Sequence, residues 1–251
     1  MSTPEIHVTQ LSKKFKNIDV YAVKPLDLSI YKADIFGFLG PNGAGKTTLI
    51  SMLCGLLKPS SGTIKISNLG FKKNKREIQQ IIGVVPQEYA LYNTLSAYEN
   101  LMYFGCMCGL KNPNLKNKVN QLLTDLGLFK FRNKKIKTFS GGMKRRVNLI
   151  AGILHQPKIL FLDEPTVGVD LQSKNVIIQH LKKMNANGTT IIYTSHHMAE
   201  AQQFCTRIAI IDSGDILIKG TPDELIKNTK NAVRLEDVYL SLTGDKLRDY
   251  V

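Results

Sequence analysis

At 251 residues and 43% apolar composition, the chain has material for a full core, either one large α/β domain or a domain with a smaller lobe, and general disorder is excluded. Thirty-four Lys and Arg against 20 Asp and Glu leave a net charge of +14, which admits a nucleic-acid partner, the anionic cytoplasmic face of a membrane, or a lysine-rich surface turned to solvent. The first residues carry neither a basic start nor an apolar run, and no stretch approaches the roughly 18 apolar residues of a membrane span, so the expectation is a protein that stays in the cytosol.

In chain order, apolar residues alternate from Ile6 to Val8 and again from Leu26 to Ile30, predicting antiparallel strands joined through the turn-like Lys16-Asn17-Ile18-Asp19. Phe15 falls in that connection, where two roles are open to it: stacking on a purine ring or packing under the hairpin. Next, Ile35-Phe-Gly-Phe-Leu39 predicts a buried strand and Thr47 to Leu57 a helix. Between them stands Gly40-Pro41-Asn42-Gly43-Ala44-Gly45-Lys46-Thr47-Thr48, which fits G-x-x-x-x-G-K-[ST] in strand–loop–helix context. Its four fixed positions coincide by chance on the order of once in 10⁴ to 10⁵ positions. The glycines let backbone N–H groups converge on the β and γ phosphates of a nucleoside triphosphate, and the helix turns its positive end toward the same anion. Lys46 adds a point charge and Thr47 a hydroxyl for Mg²⁺.

Lys58-Pro-Ser-Ser-Gly62 marks a turn, Thr63 to Ser67 a strand, and Ile81-Ile-Gly-Val-Val85 a short buried strand that delivers Gln87 to its end. From there the Gln87 amide has access to Mg²⁺ or an attacking water, although one Gln at a strand end is a slight signal. From Ser96 to Leu126 the period becomes helical, with Tyr98, Leu101, Met102 and Gly105, then Leu115, Val119, Leu122, Leu123 and Leu126. This lobe is an insertion, because it lies between the phosphate loop and the next core strand. Lys130, Arg132, Lys134, Lys135 and Lys137 close it and are expected to form a solvated face. Phe139-Ser140-Gly141-Gly142-Met143 opens another helix, with Ser140 as N-cap and Gly141 and Gly142 in the first turn, making a second anion-binding helix start.

Ile159-Leu-Phe-Leu162-Asp163-Glu164 is an apolar strand ending in two carboxylates, where an α/β sheet presents its ligands. A Mg²⁺ phosphate complex is a fitting partner for that buried charge, with Asp163 a metal ligand through water and Glu164 polarising the attacking water. Thr189 to Thr194 predicts a further buried strand, ending at Ser195-His196-His197, and His196 is the imidazole better placed for the γ phosphate. His7, His155, His180 and His197 are expected in surface or packing roles. Arg207 to Ile211 and Asp215 to Lys219 predict a hairpin, and Pro222 to Ile226 a short helix. Cys54, Cys106, Cys108 and Cys205 make neither a disulfide framework nor a zinc site, and all four are expected to be buried thiols.

These elements in this order resemble the nucleotide-binding subunit of an ATP-binding cassette (ABC) transporter over nearly the whole chain. Gly40 to Thr48 resembles the family's Walker A, Gln87 its Q-loop, Ser140-Gly141-Gly142 its signature motif, Ile159 to Glu164 its Walker B, Val169-Asp170 its D-loop and His196 its switch histidine. Phe15 resembles the aromatic residue that stacks on adenine. Phe139 stands where Leu is usual and Met143 where Gln is usual, with the phosphate-facing Ser140, Gly141 and Gly142 retained. Ser-Gly-Gly-Met-Lys-Arg-Arg and the segment Leu235 to Gly244 resemble the drug-resistance and ABC-2 exporter branch.

The resemblance implies an α/β fold: a P-loop NTPase, ABC-type ATPase core with an antiparallel β subdomain and an α-helical subdomain inserted at about 88–156. A single ATP-binding domain would cover 1–244, with a C-terminal tail at 245–251. It also implies ATP and Mg²⁺ as ligands, with Thr47, Gln87 and Asp163 at the metal and Glu164, His196 and Gln87 in catalysis. A homodimer or heterodimer in head-to-tail arrangement would hold each ATP between Lys46 of one subunit and Ser140 of the other. Separate membrane-spanning permease subunits would receive the motion, placing the chain peripherally on the cytoplasmic face of the plasma membrane. The competing reading is a soluble cassette ATPase acting on ribosomes or nucleic acid. It is less favoured, because no second cassette, long coiled coil or zinc module is present.

Overall fold

The computed structural model describes residues 3–16 and 18–244; Asn17 in the expected turn and the expected tail at 245–251 lie outside them. Two sheets organise the molecule. The antiparallel sheet has strand order β2-β1-β4-β5, built from β1 (Ile6–Lys14), β2 (Tyr21–Ile30), β4 (Ser61–Ile66) and β5 (Leu69–Gly70). The second has order β10-β9-β3-β8-β7-β6, built from β3 (Ile35–Leu39), β6 (Ile82–Val85), β7 (Ile159–Asp163), β8 (Thr190–Ser195), β9 (Arg207–Asp212) and β10 (Asp215–Gly220). Its strands run parallel except for β10, which pairs antiparallel with β9.

The central strands β3, β7 and β8 are buried along their whole length, which is why they are nearly continuous apolar runs. Alternate side chains divide between two cores. Phe36, Phe38, Phe161 and Ile192 pack toward the antiparallel sheet and helix α1 (Lys46–Leu53). Leu39, Leu160, Leu162 and Tyr193 pack toward the helices on the other face. There α5 (Gly141–Ile153) and α6 (Leu171–Ala186) cover the sheet, and α3 (Ala97–Met107) and α4 (Asn114–Asp125) extend the same core outward through Leu101, Leu115, Val119 and Leu123. Burying each such side chain contributes about 1.5–3 kcal/mol. In the chain, α3, α4 and α5 all fall between β6 and β7.

Some boundaries differ from expectation. Helix α1 stops at Leu53 and not Leu57, because Gly55 adopts φ 74° and the chain turns away. Helix α2 (Phe71–Ile81) lies outside the expected elements and takes Ile81 from the following strand; its apolar Phe71, Ile78 and Ile81 share one face against the core, and the remaining positions are polar. Cys106 and Cys108 are exposed, correcting the expectation of four buried thiols, since Cys106 lies in the last turn of α3 away from the core and Cys108 caps that helix's C-terminus; Cys54 and Cys205 are buried. Helices α7 (Met198–Phe204), α8 (Pro222–Asn228) and α9 (Leu235–Thr243) complete the described residues. Among the described residues no helix is long and apolar enough to cross a membrane.

Candidate functional site

Strand register brings the sequence candidates to one edge. Leu39 pairs with Ser195 and Asp163 with Thr194, so Gly40, Glu164 and His196 leave the sheet at the same level. The loop that follows β3 is seated between the end of β9 and the start of β2. A side chain at Gly40 would meet the Ile211 carbonyl at 2.1 Å, and one at Gly45 would meet the Ala22 carbonyl at 2.4 Å. Gly45 also has φ 103°, a conformation that side chains disfavour, and it delivers the chain to the first turn of α1. Gly43 has φ 80° and open space where a Cβ would project. The loop therefore presents bare backbone at the start of a helix, the geometry of an anion cradle.

Lys46 is buried in this cradle. Its Nζ donates to the carbonyls of Gly40 and Pro41, both at 2.8 Å, and lies 3.8 Å from Glu164 Oε1. Burial pushes the ammonium below the usual lysine range, opposed by the charges of Glu164 and Asp163. Thr47 is exposed beside it, whereas Thr48 is half-buried. Glu164 is itself buried and has φ 47°. Its N–H donates to Thr194 Oγ1 at 3.0 Å, and Thr194 in turn donates to Asp163 Oδ1 at 2.5 Å. Gln87 Nε2 donates to Glu164 Oε2 at 3.2 Å, and His196 Nδ1 lies 2.9 Å from Oε1, as for a ring N–H donating to the carboxylate. Lys46, Gln87, Asp163, Glu164 and His196 thus converge as the sequence suggested, with Thr194 as an unforeseen tie.

Ser140, Gly141 and Gly142 sit elsewhere. Ser140 caps α5, accepting from Met143 N at 3.3 Å. A Cβ on Gly142 would come within 2.4 Å of Ser173 Oγ and 2.5 Å of Asp170 Oδ2. Asp170 caps α6 by accepting from Ser173 N at 2.9 Å. This helix start therefore forms one surface with the 168–173 segment. Phe15 follows the end of β1, where Lys14 pairs with Tyr21, and it is partly exposed with the Lys13 ammonium 5.1 Å from its ring centre.

Two groups escaped sequence reasoning. The first is Arg145 and Asn148, both buried on α5. Arg145 Nη1 donates to the carbonyls of Gln87 (2.8 Å) and Pro86 (3.3 Å), and its guanidinium stacks 4.8 Å from the Tyr89 ring centre. Asn148 donates to Pro86 O at 3.2 Å and accepts from Ala90 N at 3.2 Å. The second is a buried cluster in which Glu200 on α7 accepts from Thr166 (2.7 Å) and Tyr193 and pairs with Lys174. A basic residue following a Ser-Gly-Gly helix start was the visible trace of the first; nothing local marked the second.

A protein-family model described as "ABC transporter" matches residues 23–167. The chain belongs to the ABC transporter family. It is 48% identical over 203 residues to the linearmycin resistance ATP-binding protein LnrL of Bacillus subtilis (strain 168), a match covering 81% of this chain and 65% of LnrL. It is 34% identical over 229 residues to the ABC transporter ATP-binding protein NatA of the same organism, covering 90% of this chain and 93% of NatA. The alignment thus spans just under two thirds of the first relative and nearly all of the second. Among solved structures, the cassette MJ0796, a dimer in a post-hydrolysis state bound to ADP and Pi, is 26% identical with TM-score 0.78, covering 86% of this chain and 98% of that one. This ABC cassette is accordingly an ATP-binding ATPase, and ATP-binding subunits of the family work as dimers of cassettes with membrane permease partners. The competing ribosomal or nucleic-acid reading gains no support from these relatives.

Proposed function

We propose that this ABC cassette hydrolyses ATP to power export of a drug, lipid, polysaccharide or ion through separate membrane-spanning permease subunits. The carrying observation is the buried Glu164 carboxylate held among Gln87, His196 and Lys46 at the edge where the phosphate loop begins. Gly40 to Thr48 wraps the β and γ phosphates with backbone N–H groups, and Lys46 neutralises their charge. Glu164 accepts the proton of the water that attacks the γ phosphorus, while Gln87 and His196 hold that carboxylate and the γ phosphate in line. ADP and phosphate are the products. Phe15 stacks on the adenine ring.

Thr47, Asp163 and Gln87 present the hard oxygen donors that suit Mg²⁺, and the open space beside Gly43 leaves room for the phosphates it accompanies. An ion held by these residues would supply neutralisation of phosphate charge. Thr194 donates to one Asp163 oxygen and so fixes the carboxylate that would help hold the ion.

Because Ser140 to Gly142 faces the 168–173 segment and not its own phosphate loop, a second cassette completes the site. Two subunits pair head to tail, as homodimer or heterodimer, with ATP between Lys46 of one and Ser140 of the other. ATP closes the pair and hydrolysis reopens it. Within one ATP-binding domain over 1–244, the inserted helical subdomain (about 88–156) passes this motion to the permease through the surface bearing Tyr89, Tyr92 and Tyr98. This places the cassette peripherally on the cytoplasmic face of the plasma membrane, and it assigns no nucleic-acid partner.

The test is a mild-detergent pull-down of tagged chain carrying Glu164→Gln, in ATP, from its native cells. Recovery of a polytopic membrane protein is the expected result and would narrow the cargo. Ribosomes or DNA without a membrane protein would overturn the transport reading.

A further inference from the structure

The excess positive charge is not evenly spread. Between Asp125 and Asp163 the sequence has no acidic residue, and five of the eight residues at 130–137 are Lys or Arg. Lys130, Lys134, Lys135 and Lys137 are exposed, and Arg132 is half-buried. Two aromatic rings stand among them, Phe129 and Phe131, 38% and 36% exposed. Phe residues left this far out of a core are notable where the neighbouring Leu128, Ile136 and Phe139 are all buried.

The segment is rigid. It runs through two short 3-10 turns, Phe129–Phe131 and Ile136–Thr138. Its backbone is tied to the start of α3, with Arg132 O accepting from Tyr98 N (2.9 Å) and Lys134 O from Ala97 N (3.2 Å). Ile136 N donates to Leu95 O (2.9 Å), and Lys137 N to Asn93 O (3.1 Å). The buried Leu128, Ile136 and Phe139 anchor it below, so the cations and rings form a fixed ledge on the helical lobe. Glu99 is the acid in reach, a carboxylate held below its ordinary range by bonds from Ser96 and by the nearby Lys135 charge.

We propose that this ledge, 129–137, is a contact surface for the anionic headgroups of a lipid leaflet. Cations interleaved with aromatic rings suit the headgroup boundary, where the rings enter the interface and the charges meet lipid phosphates. Nucleic acid fits less well, because strand binding uses exposed ring faces for base stacking. Here Arg132 lies over Phe129 at 4.2 Å and Lys134 over Phe131 at 5.4 Å, so the chain's own cations occupy ring faces. Binding here would orient the cassette with its helical lobe toward the bilayer. The inference stands apart from the transport reading and needs no permease.

Co-sedimentation of the full chain with phosphatidylglycerol–phosphatidylcholine vesicles tests it. Binding is expected on these vesicles but not on pure phosphatidylcholine, and it should weaken as salt shortens the screening length from about 10 Å at 0.1 M to about 3 Å at 1 M. Each lysine at such a surface is worth about fivefold in partitioning, so Lys134→Gln/Lys135→Gln/Lys137→Gln should lose about a hundredfold. Lys72→Gln/Lys73→Gln/Lys75→Gln, removing equal charge from α2, should change binding by no more than about threefold. Equal loss in both triple variants would assign binding to net charge alone and overturn the ledge. Absence of vesicle binding would also overturn it, as would retention on RNA with the 134/135/137 dependence and none on lipid. Failure here would leave the pull-down result untouched, so the two readings fall separately.

Discussion

Glu164 occupies a left-handed backbone conformation, φ 47°, which costs a non-glycine residue about 1–3 kcal/mol. The bond from its N–H to Thr194 and the contacts of its carboxylate with Gln87 and His196 hold it there. That conformation turns the side chain away from the strand direction and toward Lys46. Replacing Glu164 by Gln keeps the shape and removes the proton acceptor. Phosphate release is expected to fall by about 10²- to 10⁴-fold, with ATP affinity retained and a dimer accumulating in size-exclusion chromatography. Undiminished turnover would remove Glu164 from the mechanism.

Helix α5 serves two places at once. Its first turn presents Ser140 to Gly142, and one turn later Arg145 and Asn148 grip the 86–90 loop that carries Gln87. A shift of the helix therefore displaces Gln87 relative to Glu164. Arg145→Met preserves the stem but leaves the Gln87 carbonyl without its donor and the Pro86 carbonyl with Asn148 alone. A loss on the order of 1–2 kcal/mol corresponds to about tenfold in kcat, with KM for ATP changed less than about twofold and partial recovery in Arg145→Lys. A merely structural role would lower the active fraction without that recovery.

A second tie joins α6, α7, β8 and the segment after Glu164. Burial raises the Glu200 pKa, yet bonds from Lys174, Tyr193 and Thr166 outweigh it and hold the carboxyl below its ordinary range. A depressed carboxyl stabilises the fold above its unfolded pKa, about 4.3, and that contribution is lost as pH falls through the folded value. Glu200→Gln should lower stability at pH 7 by roughly 1–3 kcal/mol. It should also flatten the loss of stability on acidification below about pH 4.3, read from urea midpoints at pH 7 and pH 4. An unchanged acid slope would place the titration elsewhere.

For the whole molecule, the proposed head-to-tail pairing rests on the separation of the phosphate loop and the Ser140 helix start on one chain. The loop 40–48 and the helix start at Ser140 have different neighbours, so under that proposal one cassette would offer half of each of two sites. Ser140→Arg is expected to leave nucleotide binding by the monomer within about twofold while abolishing ATP-driven pairing, because a bulky cation would replace a small cap at the facing surface. Sedimentation velocity with and without ATP decides this. Unchanged pairing would reject a shared site.

Local chemistry made much of the molecule legible from its sequence. The glycine-rich loop, the buried strands ending in Asp163 and His196, and the Ser140 cap are each set by residues close in the chain, where backbone freedom, burial and capping act over a few positions. Helix α2 carries Phe71, Ile78 and Ile81 at helical spacing, but three apolar residues spread over an otherwise polar segment mark a core-facing helix only once the antiparallel sheet is in place to cover them. The outward placement of Cys106 depended on which face of α3 met the core, and that of Cys108 on where the helix ended. Only the tertiary structure joined Thr194 to Glu164, Arg145 to the Gln87 loop and Glu200 to Thr166. Those partners lie 30, 58 and 34 residues apart, brought together by strand register and helix packing, which no local pattern encodes.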